Sequence, residues 1–156
     1  MSYIVSGLPL EPFRPLFGLS DEALAEHGAI RCAVDADVGF PCRVTLEDAR
    51  VGETVLLLNY EHQSADTPYR SRHAIFVSEQ ARETHRAVDE IPNALKVRKA
   101  LSLRAFDERG MMVDAEIVSG DALEPVIARM FAQDQVAYIH AHNAGRGCYA
   151  ARIDRA

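Results

Sequence analysis

The 156-residue chain lacks every short catalytic or binding signature with diagnostic spacing. There is no paired CxxC, no HExxH and no GxSxG, and no glycine-rich loop carries the Lys-Ser/Thr of a P-loop or matches GxGxxG. Cysteine is scarce: Cys32, Cys42 and Cys148 are odd in number, which excludes a secreted disulfide framework and suits a reducing compartment. No apolar stretch approaches the length of a membrane helix. The first residues have no basic n-region, and prolines 9, 12 and 15 interrupt them, so neither a signal peptide nor a membrane partner is expected, and a cytoplasmic location is. Basic charge is also short, with 17 Lys and Arg against 23 Asp and Glu, a net −6. The nearest approach to a basic face, Lys96, Arg98, Lys99 and Arg104, is broken by Leu95, Val97, Leu101 and Leu103. It reads as a solvated charged face, and a nucleic-acid partner is excluded. Repeats, low-complexity tracts and linkers are absent too, so residues 1–156 are expected to form one domain. At this length folding removes roughly 70% of the unfolded surface from water, so no metal or disulfide staple is required.

What is present is a pattern of short strands with few helices. Tyr3–Ser6 starts a strand, and Ser20 caps a short helix over 21–26 ahead of Gly28. Residues 29–35 alternate, with Ile30, Cys32 and Val34 on the inward side, which places Cys32 in the core. Cys42–Thr45 reads as a return strand, and Thr45–Asp48 has capping-box spacing for one helical turn before Gly52. Val55–Leu58 and Ala74–Val77 are apolar on both faces and are expected at the centre of a sheet. Residues 78–90 are too charged to assign. Pro92 opens a short helix reaching about Lys99. A hairpin over 101–118 turns at Asp107–Gly110, and a second follows, with strands at 136–142 and 148–153. Between them Leu123, Val126, Ile127, Met130 and Phe131 recur at helical spacing, an amphipathic helix at about 121–132 that must pack on a sheet. The fold class is α+β, with a largely antiparallel sheet, that helix on one face and a few short helices.

Residue types that carry chemistry concentrate in two segments, Asn59–His73 and Tyr138–Arg152. They hold four of the six histidines and four of the five tyrosines, so any site is expected there. His140 and His142 are two apart on a strand and share a face, a spacing that can place two imidazoles on one metal. A third ligand would come from His62, His73, Glu61 or Cys148, none at diagnostic spacing; otherwise these histidines simply hydrogen-bond their neighbours. Tyr69-Arg70-Ser71-Arg72-His73 gathers two guanidinium groups able to clamp a carboxylate or phosphate, unless they pair with nearby carboxylates on the surface. Asn143–Gly147 has two glycines, and positive φ at both would make a backbone anion nest beside Arg146; a plain hairpin turn is the alternative. Cys148 follows that turn, where His140 or His142 could approach its thiol if the register allows.

The blocks Pro41-Cys42-Arg43, Val51-Gly52-Glu53, Leu56 to His62, Pro68-Tyr69-Arg70 and Ala74 to Val77, with the tail Tyr138 to Asn143 and Gly147 to Ile153, resemble the bacterial domain-of-unknown-function family 1203. The resemblance implies a small cytoplasmic bacterial protein, and no activity, substrate, cofactor or catalytic role comes with it. The functional expectation therefore rests on the residues. It is a pocket between segments 60–73 and 138–152 that binds or transforms a small anionic molecule. Tyr60, His62, Tyr69, Arg70, Arg72 and Arg152 would hold that molecule, with His73, His140 and His142 as proton-transfer groups. The alternatives are a metal-binding protein using His140 and His142, and a non-catalytic homodimeric interaction module.

Overall fold

Two sheets, a large one and a small one, meet across a cluster of aromatic rings. The computed structural model describes residues 1–156. Its strands are β1 (Tyr3–Ser6), β2 (Ile30–Ala33), β3 (Thr54–Gln63), β4 (Ser71–Ser78), β5 (Arg86–Val88), β6 (Leu101–Phe106), β7 (Met112–Val118), β8 (Tyr138–Asn143) and β9 (Tyr149–Arg155). Its α-helices are α1 (Asp21–Glu26), α2 (Asn93–Lys96) and α3 (Leu123–Phe131). The large sheet runs β5-β1-β9-β8-β6-β7 and the small one β2-β3-β4, every strand pair antiparallel. The class is α+β.

The expected apolar stripe forms α3, with Leu123, Ile127, Met130 and Phe131 buried. They pack on Leu101, Leu103 and Ala105 of β6, Ile139 and Ala141 of β8, and Ile153 of β9. One face of the large sheet is thus the main core. Because successive side chains on a strand point to opposite sides, His140 and His142 occupy the other face of β8. The hairpins on either side of α3 form as the turn residues indicate, Gly110 taking a φ of 82° in the first.

Several local expectations are corrected. Val55–Leu58 is central, but Ala74–Val77 lies on an edge strand of the small sheet, whose outer contact is a single bridge from Cys42 to Phe76. The helix packs on the other sheet. Strand β2 is also an edge, so its alternation does not bury Ile30, which is 62% exposed, or fully bury Cys32; Ala29 and Val34 at its two ends go into the core. Residues 43–45 form a turn between isolated bridges at Cys42 and Asp48, not a strand and a helical turn, with Leu46 at a φ of 53°, outside the right-handed helical region. The charged stretch 78–90 contributes β5, a short edge strand on β1. No helix is long and apolar enough to cross a membrane.

Candidate functional site

Register brings the two histidine-bearing segments together. On β3, Tyr60 pairs with His73 of β4, and a bulge at Glu61–Gln63 follows, so His62 and His73 come to one face of the small sheet. Their ring nitrogens, His62 Nε2 and His73 Nδ1, are 2.6 Å apart. That face meets β8: the His62 ring lies 5.0 Å from His142 and 6.0 Å from His140, centroid to centroid, and stacks on Tyr149 at 5.1 Å. His62, His73 and His142 each present a ring nitrogen within 4.8 Å of the other two.

These imidazoles are held neutral. His140 and His142 are 2% and 1% exposed. Burial lowers both to about 3, with the other histidines and Arg104 opposing a further positive charge. Burial first, then His73, lowers His62 to about 4, and His73 itself moves down because of burial and Arg104. His142 has a defined tautomer. Its Nδ1 lies 2.9 Å from the Gly147 carbonyl, which only accepts, so Nδ1 carries the proton and Nε2 keeps its lone pair. Gly147 reaches that position with a φ of 79°, suited to glycine.

Neutral imidazoles whose ring nitrogens gather this closely are what a borderline transition metal takes. Tetrahedral Zn–N bonds of roughly 2.0–2.1 Å put ligand nitrogens about 3.3 Å apart. The His62–His73 contact, at 2.6 Å, would have to open to that spacing, and the wider separations, up to 4.8 Å, to close to it. Three protein ligands leave a fourth position for water or substrate.

His140, the expected partner of His142, is not in this trio. Its ring packs between Tyr138 and Tyr149, both 5.2 Å away, and its buried Nδ1 has no hydrogen-bond partner. Tyr60 packs on Phe13 and Tyr69 on Phe106, so both serve the walls of the cluster. Arg72 neighbours His73 in sequence, so the pleat sends it to the opposite face, where it donates to Asn59 at 2.6 Å. Arg70 is paired with Glu61 at 2.5 Å, and Arg152 with Asp154 at 2.8 Å while lying 4.1 Å over the Tyr138 ring. Each of the three expected anion-binding arginines thus has a partner of its own. In the 143–147 turn Gly147 alone has positive φ, so the two-glycine nest does not form. Cys148 is engaged by Arg43 Nη2 at 3.2 Å and Asn143 Nδ2 at 3.3 Å, with no histidine among its hydrogen-bond partners.

Arg43 is the residue that the sequence reading passed over. It is 3% exposed, and it donates to the carbonyls of Tyr149 (2.7 Å) and Pro41 (2.6 Å). An arginine between Cys42 and Val44, both apolar and buried, was the available signal.

A family model described as "Protein of unknown function (DUF1203)" matches residues 39–155, a span that contains Arg43, all three converging histidines, His140 and Cys148. The chain belongs to that family. No match was found among curated proteins or among solved structures.

Proposed function

We propose that this member of the DUF1203 family binds one first-row divalent metal ion, Zn²⁺ in the first place, through His62, His73 and His142. The observation that carries this reading is the convergence of three neutral ring nitrogens within 4.8 Å from strands of two different sheets. Burying four imidazoles together leaves polar nitrogens without partners, His62 Nδ1 and His140 Nδ1 among them. Neither of these is a proposed ligand atom; the support for a metal is the 2.6 Å approach of His62 Nε2 to His73 Nδ1 with His142 beside them. Only one proton can sit between His62 Nε2 and His73 Nδ1; when both ligate, it moves to the far nitrogen of its own ring, with no change in charge. The open fourth position makes the centre suitable for activating water or polarising a bound oxygen.

Elemental analysis of untagged protein tests this. About one equivalent of metal per chain is expected, lost in His62→Ala, His73→Ala and His142→Ala and kept in His140→Ala. Metal at trace level in the wild type after reconstitution and desalting would refute the proposal.

A second reading keeps the small anionic molecule between segments 60–73 and 138–152. Its support is that both segments border one cluster. With the cations expected from the sequence, Arg70, Arg72 and Arg152 would have to exchange their present partners for the ligand.

A further inference from the structure

A cleft of about 570 Å³ lies beside the histidine cluster and shares His73 as part of its wall. Three arginines line it, Arg43, Arg98 and Arg146, and no carboxylate does. In a chain of net charge −6 that is a local reversal of sign. Arg43 is the telling member. Its guanidinium is buried, and its partners are two carbonyls and the Cys148 sulfur, so no carboxylate neutralises it. Burial pushes its pKa down, and Arg98 adds repulsion. Arg98 donates to Asp48 at 3.2 Å and to the Ala94 carbonyl at 2.9 Å, which leaves further N–H groups for a ligand. Arg146 is exposed and has neither a hydrogen-bond partner nor an ion-pair partner.

A buried guanidinium without a counter-ion is expensive, and a bound anion relieves the cost while gaining bidentate, charge-assisted bonds. The volume falls in the range of small-molecule sites, roughly 300–1,000 Å³. Leu57 and Phe76 supply apolar wall next to the cations, which suits a molecule with an anionic head and an apolar body. We infer that this cleft binds a small organic anion, a carboxylate or phosphate monoester with an apolar body, through Arg43, Arg98 and Arg146. It rests on the reading that an anion is held between the two segments and gives that reading a different set of cations. Entering along His73, such a ligand would meet the metal centre at its edge.

Calorimetric titration with benzoate, phenyl phosphate and uncharged benzyl alcohol, at constant ionic strength, tests it on both chelator-treated and Zn²⁺-loaded protein. One or both anions should bind to wild type at least roughly tenfold more tightly than the alcohol. The stronger of the two identifies the head group. Arg146→Gln should weaken the anion roughly tenfold and Arg146→Glu abolish it, while Arg72→Gln leaves it unchanged. Arg146 is exposed and unpartnered, so these variants should fold; circular dichroism verifies that. Loss with Arg72→Gln but not Arg146→Gln would overturn the cleft and retain an anion held elsewhere between the segments. Equal binding of all three probes, or none, would overturn both. Binding that persists after chelation supports the cleft as a site in its own right.

Discussion

A histidine two residues from another on a strand carries little information until each ring nitrogen is accounted for. His142 becomes a defined ligand because its Nδ1 proton goes to the Gly147 carbonyl, at 2.9 Å. That hydrogen bond in turn depends on a backbone conformation that favours glycine. Gly147→Ala should therefore loosen the His142 ring and weaken metal binding by roughly 10- to 100-fold, the usual scale for losing the partner of a ligating imidazole. Competition against a chromophoric chelator measures this, and an unchanged affinity in a folded variant would remove the orienting role. At this scale the sequence was only partly legible. Residue types flagged His62, His73 and His142, while the choice of His62 and His73 over His140 depended on which nitrogens converge, and spacing along the chain does not encode that. Arg43 was illegible for another reason: its meaning comes from burial without a carboxylate, a property of its surroundings.

The strands explain both what was readable and what was not. Apolar runs identified β3 and β4, the 101–118 hairpin and α3, because periodicity is a local property of the chain. Which sheet each joined was not local, so Ala74–Val77 proved to be an edge strand and α3 covered the other sheet. Alternation along β4 makes a sharp comparison between neighbours. His73 faces the cluster, while Arg72 faces away and touches Asn59. Arg72→Ala should change stability by less than about 0.5 kcal/mol and leave metal stoichiometry intact, whereas His73→Ala should lose the metal. Urea denaturation with elemental analysis reads both, and metal loss in Arg72→Ala would contradict this assignment of faces. Helix α3 provides the packing counterpart. Ile127 is buried against the β6–β8 face, so Ile127→Ala should cost about 2–5 kcal/mol. A shift in the denaturation midpoint equivalent to less than roughly 1 kcal/mol would argue that the helix contributes little to this core.

Across the whole molecule, a histidine cluster enclosed where two sheets meet ties stability to acidity. In the unfolded chain these imidazoles titrate near their ordinary value of about 6.5. In the folded protein His62 is held at about 4, His140 and His142 at about 3, and His73 also below its usual range. The folded pKa values are the depressed ones, so between roughly pH 6.5 and pH 4 the unfolded chain binds protons that the folded chain does not. Their stabilising effect is fully present above about pH 6.5 and declines as pH falls through that window towards the folded values. Chelator-treated protein should accordingly lose about 1.4 kcal/mol per pH unit for each buried histidine near pH 5. His140 isolates one of these contributions, since it lies outside the converging trio and its Nδ1 has no partner. His140→Leu removes the titrating ring while keeping an apolar filler of similar size, so stability at pH 7 should change little. The acid slope should become shallower by about 1.4 kcal/mol per pH unit, read from urea midpoints between pH 7 and pH 4.5. An unaltered slope would mean that His140 is already protonated in the folded protein or stays neutral in both states, and that the acid sensitivity lies elsewhere.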